Sequence, residues 1–339
     1  MNIEQLKQSI VAAYPARQPL MLWGPPGVGK SSGVKQAAEA LKVDLIDLRL
    51  GTLDPTDLRG LPSIDKGVAK WSRPAFLPSS GKGLLFLDEF VQAPPSMMAS
   101  ASQLILDRRI GEYILPDGWH VIAAGNRLSD RASTNAMPTH IANRFVHLYA
   151  EVDLKAWVHW ALGAGVDIRV IAFIKFRQNL LHVFDAQARA LAFPTPRAWE
   201  FVSNLLKTGK LSPEILPAMI NGSVGEGAGA EFVGFLRVFE KMPDIDGIFL
   251  NPKSAPLPTD SPATLYAVTS ALSARATPDN MGPIATYFTR ISDAGKPEFS
   301  VAAMREISAR DDIPGKQQGK MKQTRAFIEW ASAHNHILV

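Results

Sequence analysis

The chain has 339 residues, 46% of them hydrophobic and 20% charged, with a net charge of +4 and no cysteine. This composition is that of a globular protein large enough for two or three packed units, and it excludes disordered and collagen-like classes. The lack of cysteine excludes disulfides and thiolate metal sites, and the small net charge does not by itself indicate a nucleic-acid partner.

Short β-forming runs alternate with helix-like stretches in the first part of the chain. The predicted strands are Leu20–Trp23, Val43–Leu48, Leu84–Leu87, His120–Ala124 and Phe145–Leu148. Helical patterns lie between several of them, for example at Ser31–Leu41 and Ser96–Leu106. This alternation predicts a parallel sheet covered by helices on both faces, because parallel strands need long crossover connections. Two connections are too long for simple crossings, and their turn residues predict a hairpin around Asp65–Gly67 and a strand at Tyr113–Leu115.

After Glu151 the pattern becomes helical. The predicted helices are Leu154–Leu162, Val170–Phe184, Arg197–Leu206, Ala230–Glu240 and Gln323–Ala333, and the proline-rich stretch 251–262 is predicted to be a linker. The most apolar long stretch, 157–176, contains charged residues that favour buried helices over a membrane span, and the amino-terminal segment lacks the apolar core of a signal peptide. We therefore expect a soluble, cytoplasmic protein with no membrane contact.

One motif determines the predicted class. Residues 24–31 match G-x-x-x-x-G-K-[ST] between a predicted strand and a predicted helix. In this motif the glycines let backbone N–H groups turn toward phosphate oxygens, and the following helix adds its positive amino end. We expect Lys30 to reach the β- and γ-phosphates of ATP and Ser31 to bind Mg²⁺. The residues assigned to this nucleotide-binding loop are Gly24, Pro25, Pro26, Gly27, Val28, Gly29, Lys30, Ser31 and Ser32.

A pair of acids follows the third predicted strand. Asp88 and Glu89 come directly after the apolar run Leu84–Leu87, which places both at the carboxyl edge of the sheet beside the phosphate loop. Asp88 is predicted to orient Mg²⁺, directly or through a water. Glu89 is predicted to be the base that positions or deprotonates the attacking water.

These residues resemble those of AAA+ ATPases, over roughly residues 18 to 210, and in particular the MoxR-like, dynein-related branch. Residues 88–95 resemble the DE-x-x-x-APP signature of that branch, and residues 103–109 its continuation. The resemblance implies that Asn126, at the end of the fourth predicted strand, holds the γ-phosphate and the catalytic water. It implies that Arg144 is an arginine finger acting in a neighbouring subunit, with Arg131 as the alternative, and that Arg197 contacts the γ-phosphate from a helical lid.

The same resemblance implies an architecture and partners. Residues 1–150 are expected to form a P-loop AAA+ αβα sandwich with a five-stranded parallel sheet, residues 151–275 an all-α lid, and residues 276–339 a helical C-terminal extension. It further implies a homo-oligomeric ring, most simply a hexamer, that remodels a protein client, with a von Willebrand factor A-domain protein as a possible partner chain. We expect the loops around Lys66, Lys70 and Tyr113 to engage that client. A nucleic-acid motor of the restriction or defence type shares every ATP-site residue and stays open as the alternative.

Overall fold

The computed structural model describes residues 1–130, 135–188, 190–310 and 321–334. These residues form two compact units. The first comprises Met1–Asp153 with a short segment beginning at Phe184, and the second comprises Leu154–Val183 and the described residues from Ala190 onward. All strands of the described residues lie in the first unit, and the second is helical. The division into domains at residues 150 and 275 stays a prediction.

Five strands of the first unit form one parallel sheet with the order β2-β5-β8-β1-β9. The strands are β1 Leu20–Trp23, β2 Asp44–Arg49, β3 Leu61–Asp65, β4 Val68–Ser72, β5 Lys82–Asp88, β6 Arg109–Ile110, β7 Tyr113–Ile114, β8 Gly118–Gly125 and β9 Val146–Tyr149. The five predicted core strands and the α/β sandwich are thereby confirmed.

Helices flank this sheet. In the first unit they are α1 Ile3–Ala13, α2 Lys30–Leu41, α3 Pro55–Arg59, α4 Pro95–Leu106 and α5 Thr139–Ala142. Successive strand residues point to opposite faces, so Leu85 and Leu87 enter one apolar cluster while Leu84 and Phe86 enter another. The strand β5 is buried on both faces as a result, which explains its uninterrupted apolar sequence.

Two short hairpins extend from the sandwich. The strands β3 and β4 pair antiparallel around Lys66 and Gly67, both of which have positive φ, and this confirms the predicted hairpin. Every residue of β3 is exposed, including Ile64 at 83%. The strands β6 and β7 form the second hairpin, whose turn includes Gly111.

The second unit is a helical assembly. Its helices are α6 Leu154–Ala164, α7 Ile168–Phe176, α8 Pro196–Lys207, α9 Leu216–Val224, α10 Glu226–Glu240, α11 Ile245–Leu250, α12 Pro262–Arg275, α13 Met281–Asp293, α14 Pro297–Arg310 and α15 Arg325–Ala333. The prediction of one helix over Val170–Phe184 is wrong, because α7 ends at Phe176. The carbonyl of Leu180 accepts a hydrogen bond from the Trp199 indole at 2.7 Å, so tertiary packing overrides helical periodicity there.

None of the helices in the described part of the chain is both long and apolar enough to cross a bilayer.

Candidate active site

The phosphate-loop sequence joins β1 to α2 at the carboxyl edge of the sheet. Gly27 and Gly29 have φ of 74° and 98°, a left-handed conformation that disfavours residues with a side chain. At Gly24 an added Cβ would lie 2.8 Å from the carbonyl oxygen of Ala150, which is too close. The loop therefore needs glycine at all three positions. Gly27 and Gly29 are required by the backbone conformation, and Gly24 is required by the lack of space.

The amino end of α2 has no side-chain cap. Gly29 occupies the N-cap position, where it offers no side-chain hydrogen bond to the first N–H groups of the helix. The amino end of a helix favours an anion, because its N–H groups point outward and the helix dipole is positive there.

Lys30 lies across this loop. Its side chain is buried, and Nζ donates to the carbonyl oxygens of Gly24 at 2.7 Å and Pro25 at 3.1 Å. Nζ also donates to Oδ1 of Asn126 at 3.0 Å. Asn126 directly follows β8, the strand next to β1. The structure thus brings together two residues that are far apart in sequence and were both predicted to contact the γ-phosphate.

The serine and the aspartate predicted to hold a metal are also in contact. Ser31 Oγ donates to Oδ2 of Asp88 at 2.9 Å. A hydroxyl and a carboxylate at this spacing suit Mg²⁺, which takes one or two protein carboxylates and completes its shell with phosphate oxygens and water. Among the described residues no group of three or more His, Asp or Glu could hold a metal by itself.

Glu89 follows Asp88 in an unusual backbone conformation. Its φ of 56° and ψ of 33° are left-handed, which is uncommon for a residue other than glycine and costs on the order of 1–3 kcal/mol. The Glu89 N–H donates to Oδ1 of Asp88 at 2.9 Å. The chain then enters a 3₁₀ turn, Phe90–Gln92, whose first residues are buried. The turn places Glu89 directly after the last residue of β5.

A third carboxylate, which sequence reasoning missed, belongs to the same group. Asp47 lies on β2, the neighbour of β5. Burial raises the pKa of the Asp47 carboxyl, and the charges of Asp88 and then Glu89 raise it further, while Arg49 opposes them. The signal was available in principle, because Asp47 is an acid in a strand predicted to lie in the same sheet.

Arg144 lies at the other edge of the sheet. It comes just before β9, whose first residue Val146 pairs with Leu20, the first residue of β1. The phosphate loop follows the last residue of β1, so Arg144 and the loop are at opposite ends of these parallel strands. The Arg144 guanidinium donates to the carbonyl oxygen of Ser102 at 3.2 Å. Arg144 is therefore not part of the cluster formed by Lys30 and its neighbours.

Two other predicted arginines are placed differently. Arg131, the alternative finger, lies outside the described residues; its neighbour Asp130 is buried and pairs with Arg127 at 3.1 Å. Arg197 is exposed in the first turn of α8, which belongs to the second unit. The Thr195 hydroxyl caps this helix by accepting from the Ala198 N–H at 3.0 Å.

A hydrogen-bonded path runs between β1 and β9. The Trp23 indole N–H donates to Nδ1 of His147 at 2.8 Å, and the two rings are stacked with centroids 6.0 Å apart. The other ring nitrogen of His147 lies 2.9 Å from the carbonyl oxygen of Ala142. Because Trp23 N–H is a donor, His147 carries its proton on Nε2 and donates to Ala142.

Comparison with known proteins agrees with this geometry. Residues 19–145 match the family model of the AAA domain (dynein-related subfamily). The chain is 28% identical over 163 residues to midasin from Giardia intestinalis, a match covering 45% of this chain and only 3% of that protein's length.

Solved structures resemble it more distantly. NtrX from Brucella abortus in complex with ADP is 14% identical with a TM-score of 0.41, covering 98% of this chain and 67% of that one. A mutant RuvB from Thermotoga maritima is 13% identical with a TM-score of 0.36, covering 99% and 95%.

The family match spans the phosphate loop, the paired acids and Asn126, and the contacts of Lys30 and Ser31 join these elements at one edge of the sheet. Residues 19–145 therefore match an AAA+ domain of the dynein-related type in sequence, and the residues at this edge of the sheet have the arrangement of a P-loop nucleotide site.

Proposed function

We propose that this chain acts as a MoxR-like ring ATPase, most simply a hexamer, that hydrolyses Mg·ATP at sites shared by neighbouring subunits and remodels a protein client. The observation that carries the proposal is the separation of Arg144 from Lys30 across the sheet. A guanidinium at the amino edge cannot reach the nucleotide of its own chain, so a site containing both residues needs a second copy.

In this proposal the residues of one chain bind and orient the nucleotide. Lys30 exchanges its carbonyl partners for β- and γ-phosphate oxygens, and Asn126, already bonded to it, contacts the γ-phosphate and the attacking water. Ser31 and Asp88 would hold Mg²⁺, which supplies charge neutralisation at the phosphate oxygens.

Glu89 orients the attacking water and accepts its proton. The water oxygen forms a bond to the γ-phosphorus while the bond from that phosphorus to the bridging oxygen of ADP breaks. The products are ADP and inorganic phosphate, with the proton leaving through Glu89. In the second copy, Arg144 stabilises the charge on the transferring phosphoryl group. Arg197, on the helical unit, contacts the γ-phosphate as a sensor. Loss of the γ-phosphate on hydrolysis then releases the lid.

The client contacts the exposed hairpins of the first unit. Ile64 and Ile114 are 83% and 71% exposed and offer apolar contacts to an unfolded segment. The Tyr113 hydroxyl donates to the carbonyl oxygen of Pro78 at 2.7 Å and its partly buried ring packs against the core, so its contact with a client stays a prediction. Lys70 is paired with Asp65 at 2.7 Å, which makes Ile64 the better target for substitution.

Steady-state ATPase activity against protein concentration tests the shared site. The wild-type rate per subunit should rise with concentration as rings assemble. Glu89→Gln should lose about 10²- to 10⁴-fold in kcat, the usual contribution of a general base, while still binding ATP. Arg144→Ala should lose about 10³-fold or more. Glu39→Gln, the same change at an exposed position of α2, is the matched control and should be unaffected.

Three results would contradict the proposal. A concentration-independent wild-type rate, or full activity of Arg144→Ala, would show that the site is not shared between subunits. Stimulation by DNA that weakens steeply with salt would favour the nucleic-acid motor over the client remodeller.

A further inference from the structure

A positively charged cavity lies at the amino edge of the sheet, around Arg144. It has a volume of about 490 Å³, and its lining includes the side chains of Arg17, Arg108, His140 and Arg144. These residues come from separate connections, which precede β1, follow α4 and precede β9. None of the described residues that line this cavity is acidic.

The hydrogen-bond partners of these arginines do not neutralise all of the positive charge in the cavity. Arg17 pairs at 3.0 Å with Asp117, whose side chain is 86% exposed. Arg108 donates to the carbonyl oxygen of Pro116 at 2.8 Å, and Arg144 donates to that of Ser102. These carbonyls are neutral, so neither hydrogen bond balances a guanidinium charge.

The backbone holds two of these arginines in a costly conformation. Arg17 and Arg108 both have φ of 53°, in the left-handed region that arginine rarely adopts. Partial burial lowers the pKa of Arg108 and the nearby charge of Arg17 lowers it further, while Asp117 and Tyr113 oppose them. Strain and like-charge proximity at one place are typical of a site whose ligand offsets them.

We propose that Arg108 joins Arg144 in contacting the terminal phosphate of ATP bound by the neighbouring copy of this chain, with Arg17 as a positioning residue that adds to the positive potential. This rests on the shared site of the proposed function. A terminal phosphate suits the cavity better than a single carboxylate, because Arg108 and Arg144, the two guanidinium groups bonded only to carbonyls, exceed one carboxylate charge and the phosphate offers three peripheral oxygens. Arg108 is then a catalytic residue supplied from the second copy, like Arg144.

The first test compares Arg108→Ala and Arg108→Lys with the wild type in the full chain, at protein concentrations where the rate per subunit no longer rises. Arg108→Ala should lose about 10²-fold in kcat, the typical effect of removing one charge-stabilising donor. Arg108→Lys should fall between it and the wild type, since lysine keeps the charge and loses the bidentate fork. Lys82→Ala, which removes an exposed cation from the same edge outside the cavity, should have no effect.

Binding of a fluorescent ADP analogue distinguishes this role from a structural one. Its Kd should be unchanged in Arg108→Ala, because each chain's own loop is intact. A weakened Kd would overturn the proposal by placing Arg108 at its own nucleotide. Recovery of the wild-type rate at high protein concentration would also overturn it, because the cavity would then serve only assembly. If Arg108→Ala melts early, the same comparisons are made with Arg108→Lys.

Mixed rings supply the decisive test. Lys30→Ala lacks nucleotide binding but keeps the arginines, whereas Arg108→Ala keeps the loop and lacks one arginine. Mixing the two should restore activity at interfaces that combine the intact halves, and no restoration would mean that Arg108 acts within its own chain. Arg144→Ala mixed with Lys30→Ala is the parallel test of the proposed function. If that pair recovers while Arg108→Ala alone is fully active, the proposed function stands and this inference fails.

Discussion

The two edges of the central sheet differ in the hydrogen bonds that their polar side chains make. At the carboxyl edge side chains bond to one another: Ser31 contacts Asp88, and Lys30 contacts Asn126 as well as loop carbonyls. At the amino edge Arg108 and Arg144 bond to neutral carbonyls. The first edge joins polar side chains to one another, and the second carries charge that an anion would balance. In the proposed function each edge is half of a site, and the two halves meet between copies of the chain.

The largest effect is expected at Gly24, where the loop at the carboxyl edge has no space for a side chain. Gly24→Ala would place a Cβ 2.8 Å from the Ala150 carbonyl oxygen, and neither backbone can yield without displacing β1 or the loop. We expect a loss of about 1–3 kcal/mol in the free energy of unfolding, as for other overpacked sites, together with weaker nucleotide binding.

Urea unfolding with and without ADP measures both effects. Gly234→Ala is the control, because Gly234 is helical with nothing within 4 Å of an added Cβ. That change should stabilise the chain by up to about 1 kcal/mol. Equal effects of the two substitutions would show that the loop is not the constrained element described above.

A smaller effect is expected under the amino edge, at His120. This side chain is fully buried, and its Nε2 lies 2.7 Å from the carbonyl oxygen of Gln18, so the neutral ring donates there and Nδ1 is left without a hydrogen-bond partner among the described residues. Burial lowers the pKa of His120, and the charge of Arg108 lowers it further, although the Gln18 carbonyl opposes them.

The sign of the pH dependence follows. In the unfolded chain His120 has the ordinary histidine pKa of about 6.5, and in the folded chain its pKa is lower. The unfolded state therefore takes up the proton first as the pH falls, and the free energy of unfolding decreases below about pH 6.5. Between pH 7.5 and 5.5 the loss due to His120 should be no more than about 1.4 kcal/mol, and His120→Gln, which keeps an N–H donor, should remove it. Thermal melting at the two pH values measures this, and an identical pH dependence in the variant would contradict it.

The smallest effect is expected at Asp47. Its pKa is raised by burial, Asp88 and Glu89, so the folded chain holds the proton more tightly than the unfolded chain and stability decreases as pH rises above the ordinary aspartate range. Asp47→Asn should therefore stabilise the chain at pH 7, by less than about 1 kcal/mol because solvent screens these charges. Asp44→Asn on the same strand is the control for urea unfolding. A destabilised Asp47→Asn would mean that the three carboxylates do not repel one another.

Local patterns predicted much of this structure from the sequence. The apolar run Leu84–Leu87 indicated a strand buried on both faces, and the glycines around Lys30 indicated the loop, because each signal lies within a few consecutive residues. Asp47 and Arg108 could not be assigned in the same way. Their roles depend on which strands are neighbours and on which connections meet at one edge, and these relations join residues far apart in the chain.

The end of α7 at Phe176 is likewise determined by residues far apart in the chain. The sequence from Val170 onward keeps a helical pattern past Phe176, and nothing local indicates that the Leu180 carbonyl will be taken by the Trp199 indole. The hydrogen bond from the Tyr113 hydroxyl to the Pro78 carbonyl is a further contact between distant residues that no local pattern indicates.

The path from Trp23 through His147 to Ala142 bears on the order of events around a ring. Trp23 directly precedes Gly24, and Ala142 lies just before Asn143 and Arg144, so the path joins the proposed nucleotide loop to the segment of the proposed arginine finger. The two hydrogen bonds together fix the imidazole, which accepts at Nδ1 and donates at Nε2. In the proposed ring, a shift of the loop would act on the arginine segment through these contacts. Through such a connection, nucleotide binding at one site can change the position of the arginine that the neighbouring site requires.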